Sequence, residues 1–305
     1  MTHRTAYLNG SWLPEGELRI SAFDLSVMQG VAAFSMTRSY RHQHFKLDAH
    51  ITRLRESMRL LGIPDPLPGK FAWHDVVAQL TDKNPMPEEE EHRLLLVASP
   101  GAAQMYAEIA GVITKPWAYL ATFPLRYTVA GLAHYFTDGV SLVTSPIMQI
   151  PAACIPSRAK HRSRLHFHLA QQLAAPDWAL MVTSAGYIAE CPGANVCAVY
   201  DDALVCLTED ALPGISQQTV ADLAKELDLR VEWNQLEVSA LWNADEVWLT
   251  GTPFSMLPVS RVDGRPIGLG CWPVFDQVLD RWSERVAVDI KGQMESWDSY
   301  AVQRS

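Results

Sequence analysis

Residues 155–170 read IPSRAKHRSRLHFHLA, and they place a single lysine, Lys160, among three arginines and three histidines. Nearby positive charge and burial both disfavour a protonated amine, so a lysine in such surroundings can be the nucleophile that Schiff-base chemistry requires. The simpler interpretation of this stretch alone is a solvated lysine in a basic surface patch. Residues elsewhere in the chain must therefore decide the role of Lys160.

Three later segments carry polar groups where a strand ends or a helix begins. Glu190 follows an apolar strand and precedes a Pro-Gly turn, so its carboxylate can face a cleft or cap the turn. Ile215 and Ser216 lead into a helix whose N-terminal amides and dipole attract an anion, although Ser216 can equally be an N-cap. Thr252 ends the sequence TGT at a strand-to-turn junction that can hold a phosphate. Each signal is commonplace when taken singly.

The order and spacing of these signals resemble the fold-type IV pyridoxal phosphate enzymes, also called class IV aminotransferases. This family includes branched-chain aminotransferases, D-amino acid aminotransferases and aminodeoxychorismate lyases. In the second half of the chain the matching motifs are K-x-x-S-R-L from Lys160, G-x-x-x-E-x-x-x-x-N from Gly186, LPGIS at 212–216, and TGT at 250–252 followed by PV. In the first half they are YLNG at 7–10, IS-x-x-D at 20–24, G-x-x-x-F at 30–34, Arg38, and F-x-L-x-x-H-x-x-RL from Phe45. The resemblance spans most of the chain.

The resemblance implies an α+β fold of two domains, similar to D-amino acid aminotransferase, with the active site in the interdomain cleft. It implies that Lys160 forms a Schiff base with pyridoxal 5'-phosphate and then carries a proton between the substrate Cα and the cofactor. Glu190 would face the pyridine nitrogen and keep it protonated, so that the ring accepts electron density. The resemblance assigns cofactor binding to Arg53, Lys160, Glu190, Ile215, Ser216 and Thr252. It also implies a homodimer.

Several departures from the family pattern concern the substrate. Leu165 stands where branched-chain aminotransferases carry a tyrosine. The lyases and the D-amino acid enzymes also have a leucine at this position. Residues 98–101 replace the usual threonine-arginine-glycine, whose arginine binds a substrate carboxylate in some members. Pro253 replaces the alanine after TGT and has no N–H to offer to a carboxylate. Ser35 replaces an acidic residue, and the turn at 30–32 also differs.

These altered carboxylate anchors predict an unusual amino donor. The candidates for substrate binding are Phe34, Arg162 and Arg164; either arginine can supply the missing positive charge, and both can equally face solvent. The sequence predicts a branched-chain aminotransferase-like enzyme that moves an amino group between an amino acid and a 2-oxo acid. A lyase of the aminodeoxychorismate type is the alternative, because Arg164, four places after the lysine, resembles that subgroup. A pyridoxal phosphate-binding protein without turnover is a third reading.

Length and composition restrict the class of protein. The 305 residues exceed the usual single-domain size and predict a small N-terminal α+β domain over 1–127, a linker at 128–133 and a larger C-terminal α/β domain over 134–305 that carries Lys160. A net charge of -9 argues against nucleic acid as a partner. Neither a signal peptide nor a long apolar run is evident, so we expect no membrane partner and a cytoplasmic location. Five cysteines without a CxxC pair predict reduced thiols and no metal site.

Hydrophobic periodicity predicts the local structure of several segments. Helices are predicted at 48–63, 71–81, 163–174 and 219–229, the first of them capped by Asp48. Strands are predicted at HRLLLVAS (92–99) and EVWLTG (246–251), among others, and the Asn-Gly pair at 9–10 predicts a hairpin. The acidic run PMPEEEEH (85–92) is interpreted as a solvated loop.

Overall fold

The computed structural model describes residues 4–112, 114–208 and 210–300. These residues form two compact units. The first contains the residues up to Leu125 together with Ala159–Arg164, and the second contains Arg126–Arg158 and the residues from Leu165 onward. Helices and strands are mixed in both units, which confirms the predicted α+β class. The sequence-based boundary, with its linker at 128–133, stays a prediction.

An antiparallel sheet of six strands forms the first unit. The strands are β1 (Thr5–Leu8), β2 (Ser11–Pro14), β3 (Ala33–Tyr40), β4 (Gln43–His44), β5 (His92–Ser99) and β6 (Trp117–Pro124). Their order is β2-β1-β6-β5-β3-β4. Asn9 and Gly10 have φ angles of 48° and 93°, as a two-residue hairpin turn requires, so the predicted Asn-Gly hairpin is confirmed. The helices of this unit are α1 (Leu25–Met28), α2 (Leu47–Leu60), α3 (Ala72–Lys83) and α4 (Gln104–Ala110).

The two faces of this sheet differ because successive residues of a strand point to opposite sides. One face packs against α2 and α3 and forms the hydrophobic core of the unit. The opposite face carries Phe34, Met36 and Val97. Arg38 and Arg93 are directly paired across β3 and β5, and they lie further along this second face, which we call the Phe34 face.

The second unit is built on a mixed sheet of eight strands. The strands are β7 (Val140–Thr144), β8 (Trp178–Leu180), β9 (Asn195–Tyr200), β10 (Ala203–Leu207), β11 (Arg230–Asn234), β12 (Glu246–Gly251), β13 (Ser255–Val262) and β14 (Arg265–Pro266). Seven of them follow the order β11-β10-β9-β12-β13-β7-β8, and β14 pairs with β13. Most pairs are antiparallel, whereas β10 with β11, β13 with β7, and β7 with β8 are parallel.

Helices of the second unit lie around this sheet. They are α5 (Arg126–Val129), α6 (Tyr135–Asp138), α7 (Leu165–Ala174), α8 (Ile215–Glu226), α9 (Val238–Leu241), α10 (Pro273–Val286) and α11 (Ile290–Trp297). Short 3-10 turns occur at Glu15–Glu17 in the first unit and at Asp298–Tyr300 in the second. Within the described ranges, none of the helices has the length and apolar character needed to cross a bilayer.

Most of the predicted elements are present, but their caps differ from the predictions. The strands predicted at 92–99 and 246–251 have the predicted bounds. The helix predicted at 48–63 spans Leu47–Leu60, and its N-cap is Lys46 rather than Asp48. Asp48 lies inside the first turn, where its charge favours the helix dipole without capping an amide. The helix predicted at 219–229 begins earlier, at Ile215.

The acidic run at 85–92 is not entirely solvated. Glu90 and Glu91 are buried, so the prediction of a solvated loop is wrong at these two residues. The carboxylate of Glu91 accepts the backbone N–H groups of Arg41 and His42 and the hydroxyl of Ser39. Glu91 is therefore buried because it satisfies the donors of the turn that joins β3 to β4.

Candidate active site

The segment that carries Lys160 runs along β3 as an additional short extended strand. Phe34 donates its N–H to the carbonyl of Lys160, Arg162 donates its N–H to the carbonyl of Ala32, and Ala33 pairs with His161; both hydrogen bonds measure 3.0 Å. Because side chains alternate along an extended strand, Lys160 and Arg162 both lie on the Phe34 face. His161, between them, points to the opposite face.

Three cations surround the ring of Phe34. The Nζ atom of Lys160 lies 5.0 Å from the ring centroid, and the Cζ atoms of Arg162 and Arg164 lie 4.0 Å and 5.8 Å from it. These distances lie within the range of cation–π contacts, so three basic side chains share one aromatic ring. The structure thus brings together four of the predicted site residues within the first unit.

Ser57 connects the Lys160 segment to α2. Its hydroxyl accepts the backbone N–H of Lys160 at 3.0 Å and donates to the carbonyl of Arg53 at 2.8 Å. Arg53 itself is half-buried, one helical turn before Ser57. The sequence analysis missed Ser57, although His50, Arg53, Leu54 and Ser57 share one helical face by their spacing of three and four residues.

His50 and Ser35 form a buried pair beneath the sheet. Ser35 Oγ lies 3.0 Å from His50 Nδ1. Burial lowers the pKa of His50 well below its usual value, and the charges of Arg53, Arg93 and Lys160 lower it further, so His50 is neutral. Ser35 points away from the Phe34 face, because it alternates with Phe34 on β3. Its departure from the family pattern therefore alters the packing against α2 and not the cationic face.

Arg93 is a buried cation that the sequence analysis missed. Its side chain donates from Nη2 to the sulfur of Met36 at 3.7 Å, whereas its Nε and Nη1 atoms are buried and have no hydrogen-bond partner among the described residues. Burial, and then the charge of Arg38, lower the pKa of Arg93 to about 9. Unpaired donors on a buried guanidinium are costly, so this position suits an anionic ligand. The only signal in the sequence is an arginine at an alternate position of an apolar strand.

Glu190 lies in the second unit, beside Gln149. The side chain of Glu190 is buried, and its Oε1 accepts a hydrogen bond from Gln149 Nε2 at 3.2 Å. The turn after Glu190 is closed by backbone hydrogen bonds that Cys191 and Ala194 exchange at 2.8 Å and 3.1 Å. Backbone hydrogen bonds therefore close this turn. Gln149 was not among the predicted residues.

The N-cap residue of α8 offers no side-chain hydrogen bond to the first amides of the helix. Its N-cap is Gly214, so Ser216 is a helical residue and not the cap that the sequence allowed. A side chain at Gly214 would collide with the carboxamide of Asn195, whose Nδ2 donates to the carbonyl of Leu212 at 2.8 Å. The first amides of α8, which include those of Ile215 and Ser216, are thus presented from a glycine cradle.

Strand β12, which pairs with β9, carries a buried hydroxyl. Thr250 of β12 is paired directly with Asn195 of β9, so both side chains lie on the same face of the sheet. The Oγ1 atom of Thr250 is buried and has no hydrogen-bond partner among the described residues. Thr252 follows in the turn that joins β12 to β13 and is partly buried. The hydroxyl of Thr250 and the first amides of α8 are therefore donors that this part of the second unit can offer to an anion.

Comparison with protein families identifies the chain. The sequence profile described as "Amino-transferase class IV" matches residues 32–262, which is more than half of the protein. The chain belongs to the class IV aminotransferases. These enzymes depend on pyridoxal 5'-phosphate, so this class IV aminotransferase is a pyridoxal phosphate-dependent transaminase. The predicted family, enzyme class and cofactor are confirmed.

Individual relatives agree with this assignment. The branched-chain-amino-acid aminotransferase of Salmonella typhimurium is 26% identical over 293 residues, which cover 89% of each protein. Branched-chain-amino-acid aminotransferase-like protein 2 of Arabidopsis thaliana is 27% identical over 270 residues, covering 87% of this chain but 47% of that longer protein. The crystal structure of the T.th. branched-chain amino acid aminotransferase with pyridoxamine 5'-phosphate superposes with a TM-score of 0.81 at 23% identity, covering 98% of both chains. That likeness confirms the predicted fold.

Proposed function

We propose that this class IV aminotransferase exchanges an amino group between an amino acid and a 2-oxo acid in two half-reactions, as a branched-chain aminotransferase-like enzyme with altered carboxylate anchors. The observation that carries the proposal is the setting of Lys160. Its backbone is bonded to β3 and to α2, whereas its amine lies 5.0 Å from the ring of Phe34, which the guanidinium of Arg162 also approaches. An amine among cations gives up its proton more readily, as attack on an aldehyde requires.

The polar groups of the second unit fit the phosphate of the cofactor. The unpartnered hydroxyl of Thr250 and the uncapped amides of Ile215 and Ser216 suit phosphate oxygens. We also assign phosphate binding to Arg53 and Thr252, in line with the family resemblance. When bound, pyridoxal phosphate supplies an electron sink for the charge left at the substrate Cα.

Two side chains handle protons in this proposal. Lys160 would hold the cofactor covalently through its amine, as the Schiff-base lysine, and once free it would move a proton between the substrate Cα and the cofactor C4′ atom. Glu190 holds a proton on the pyridine nitrogen, because a buried carboxylate stabilises a pyridinium. Its burial and its hydrogen bond from Gln149 support this role.

Arg162 is our choice for the carboxylate anchor near the reacting carbon. It alternates with Lys160 on the Phe34 face and lies closer to the Phe34 ring than Arg164 does, at 4.0 Å against 5.8 Å. A guanidinium can bind a carboxylate in two parallel hydrogen bonds, which compensates for the altered residues at 98–101 and the missing N–H of Pro253. Phe34 contributes an apolar wall for the substrate side chain.

Arg93 extends this proposal to the choice of donor. It lies on the Phe34 face with two unpartnered buried nitrogens, further along the sheet than the apolar residues Phe34 and Met36. A second carboxylate on the substrate would satisfy these nitrogens, so we expect dicarboxylic amino acids or 2-oxo acids among the substrates. Met36 and its apolar neighbours accommodate the stem between the two charges.

A substrate panel tests the proposed function. The holoenzyme is mixed with single L- and D-amino acids, including leucine, glutamate and aspartate, while the cofactor spectrum is followed in a single turnover. We expect conversion to the pyridoxamine form with branched-chain or dicarboxylic donors and return to the starting spectrum with 2-oxoglutarate. Absence of conversion with every donor would leave a protein that binds the cofactor without turnover.

The lyase remains the second candidate because Arg164 also lies within 5.8 Å of the Phe34 ring. A lyase of the aminodeoxychorismate type releases pyruvate from its substrate and does not need a 2-oxo acid acceptor. Pyruvate release from aminodeoxychorismate at a rate above amino transfer would replace the first proposal by the second.

We also propose a cytoplasmic homodimer, as the family resemblance implies. Light scattering after gel filtration of the holoenzyme measures the mass directly, and a mass near 34.0 kDa, that of one chain, would contradict the dimer.

A further inference from the structure

Gln149 and Glu190 are anchored to neighbouring residues of the second unit. Gln149 donates its backbone N–H to the carbonyl of Val182 at 2.9 Å, and Met181 donates its N–H to the carbonyl of Glu190 at 3.0 Å. The main chains of Gln149 and Glu190 are thus hydrogen-bonded to two consecutive residues, Val182 and Met181. Their side chains meet because of this arrangement, although the two residues are 41 positions apart in the sequence.

The carboxamide of Gln149 has a single sensible orientation. Its Nε2 donates to the carbonyl of Asp210 at 2.8 Å and to Glu190 Oε1 at 3.2 Å. Both partners only accept hydrogen bonds, so the nitrogen must face them. Gln149 Oε1 is buried and has no hydrogen-bond partner among the described residues. A buried glutamine that leaves its oxygen unpaired in order to donate twice is held in place by those two contacts.

We propose that Gln149 is a positioning residue for Glu190, which it holds in place through a neutral hydrogen-bond donor while leaving the negative charge for the pyridinium of the cofactor. This inference rests on the role of Glu190 in the proposed function. A cationic donor at the same position would form an ion pair with Glu190 and offset the charge that the pyridinium needs. A neutral donor orients the carboxylate without that competition.

The pH dependence of the reaction separates this role from a purely structural one. A hydrogen bond donated to a carboxylate favours its charged form, so removing the donor raises the pKa of Glu190. The acidic limb of the single-turnover rate then moves to higher pH. Cys191, beside Glu190, does not interfere, because burial and the charge of Glu190 raise the pKa of its thiol and keep it neutral. Asp210 contributes only its backbone carbonyl to Gln149.

The experiment compares Gln149→Met with wild-type holoenzyme and with a matched control, Gln171→Met. Gln171 also donates to a backbone carbonyl, that of Asp177 at 2.8 Å, and accepts the N–H of Ala179 at 3.2 Å, but it has no carboxylate partner among the described residues. For Gln149→Met we expect full cofactor content, a single-turnover rate lower by about 10- to 100-fold, as for a lost hydrogen bond to a charged group, and the acidic limb at higher pH. Gln171→Met should keep the wild-type rate and profile. Gln149→Asn retains a polar amide in case the methionine variant misfolds, and its profile should shift in the same direction.

A double variant distinguishes the failure of this inference from that of the proposed function. In a Glu190→Gln background, Gln149→Met should lower the rate by less than about threefold, since the carboxylate it positions is gone. A wild-type rate in Glu190→Gln would remove the proposed role of Glu190 and this inference with it. A slow Glu190→Gln combined with an unshifted pH profile in both Gln149 variants, or with additive effects in the double variant, would overturn the inference alone.

Discussion

Lys160 combines a fixed main chain with an accessible side chain. Its N–H is bonded to Ser57 and its carbonyl to Phe34, so its main chain is fixed while its side chain stays half-exposed. Fixing the backbone limits where the amine can reach, which suits the covalent attachment proposed above. The side chain contributes little to packing, so its chemical role can be tested without unfolding the protein.

The first prediction is that Lys160→Ala abolishes the visible absorbance of the bound cofactor and lowers turnover by at least about 10³-fold, because the nucleophilic amine is lost. Lys70→Ala is the matched control, since Lys70 Nζ also lies 5.0 Å from a phenylalanine ring, that of Phe71. Borohydride reduction followed by peptide mapping locates the modified lysine. Finding the cofactor on any other lysine would end the assignment.

The second prediction separates the two arginines near Phe34. Arg162→Gln should raise the KM for the amino donor by about 10- to 100-fold, as expected for a lost bidentate carboxylate contact. Arg164→Gln should change the KM much less, because Arg164 lies beyond a turn in which its N–H bonds to the carbonyl of Arg162 at 2.8 Å. Steady-state kinetics with the best donor measure both. Equal effects, or a larger effect at Arg164, would transfer the anchor role to Arg164 and favour the lyase.

Two helices of the second unit begin in different ways. At the start of α10, the carboxylate of Glu246 accepts the N–H groups of Val274 and Phe275 at 2.8 Å and 2.9 Å. At the start of α8, Gly214 provides no cap. One N-terminus is thus satisfied within the protein, whereas the other has an N-cap without a side chain, as the proposed phosphate site requires. This difference between the N-termini of α10 and α8 supports a stabilising role for Glu246 and the proposed binding role for the beginning of α8.

The third prediction follows from the cap of α10. Glu246→Ala removes the acceptor of Val274, Phe275 and the indole N–H of Trp248, so it leaves buried donors unpaired. We expect the free energy of unfolding to fall by about 2–4 kcal/mol, whereas Glu246→Gln, which keeps one oxygen, should cost about half as much. Urea unfolding measures both variants. An unchanged unfolding midpoint in Glu246→Ala would show that water satisfies these donors.

Across the whole molecule, strands and helices that depend on local sequence patterns were easier to predict than contacts between residues far apart in the sequence. The strands at 92–99 and 246–251 were predictable because their apolar runs and bounding turns are local signals. Ser57 could not be linked to Lys160 in this way, because the two residues are 103 positions apart. Glu91 was expected in solvent, since its partner Ser39 lies 52 positions away. Gln149 and Arg93 were missed for the same reason: their roles arise from neighbours that only the folded chain supplies.

The fourth prediction concerns the stability of the fold as the pH changes. Burial first, and then the charge of a neighbouring histidine, lower the pKa of both His44 and His92 to about 4. Unfolded histidine has a pKa of about 6.5, so between pH 6.5 and 4 the unfolded chain binds more protons than the folded one. The contribution of these two residues is therefore fully present above about pH 6.5 and declines as the pH falls towards 4.

Urea unfolding at pH 7.5 and pH 5.0 measures this effect. We expect the free energy of unfolding of the wild type to fall by roughly 4–6 kcal/mol between these two values, given about 1.4 kcal/mol for each pH unit and each histidine, because buried His50 adds to the effect of His44 and His92. His44→Gln removes one of the three titrating groups His44, His50 and His92, so it should lose about two thirds as much between the same two pH values. His168→Gln, which alters an exposed histidine, should follow the wild type. Carboxylates titrate in the same range, but they are common to all three proteins and cancel in the comparison. A pH dependence in His44→Gln as steep as that of the wild type would show that His44 is already protonated, or solvated, in the folded state.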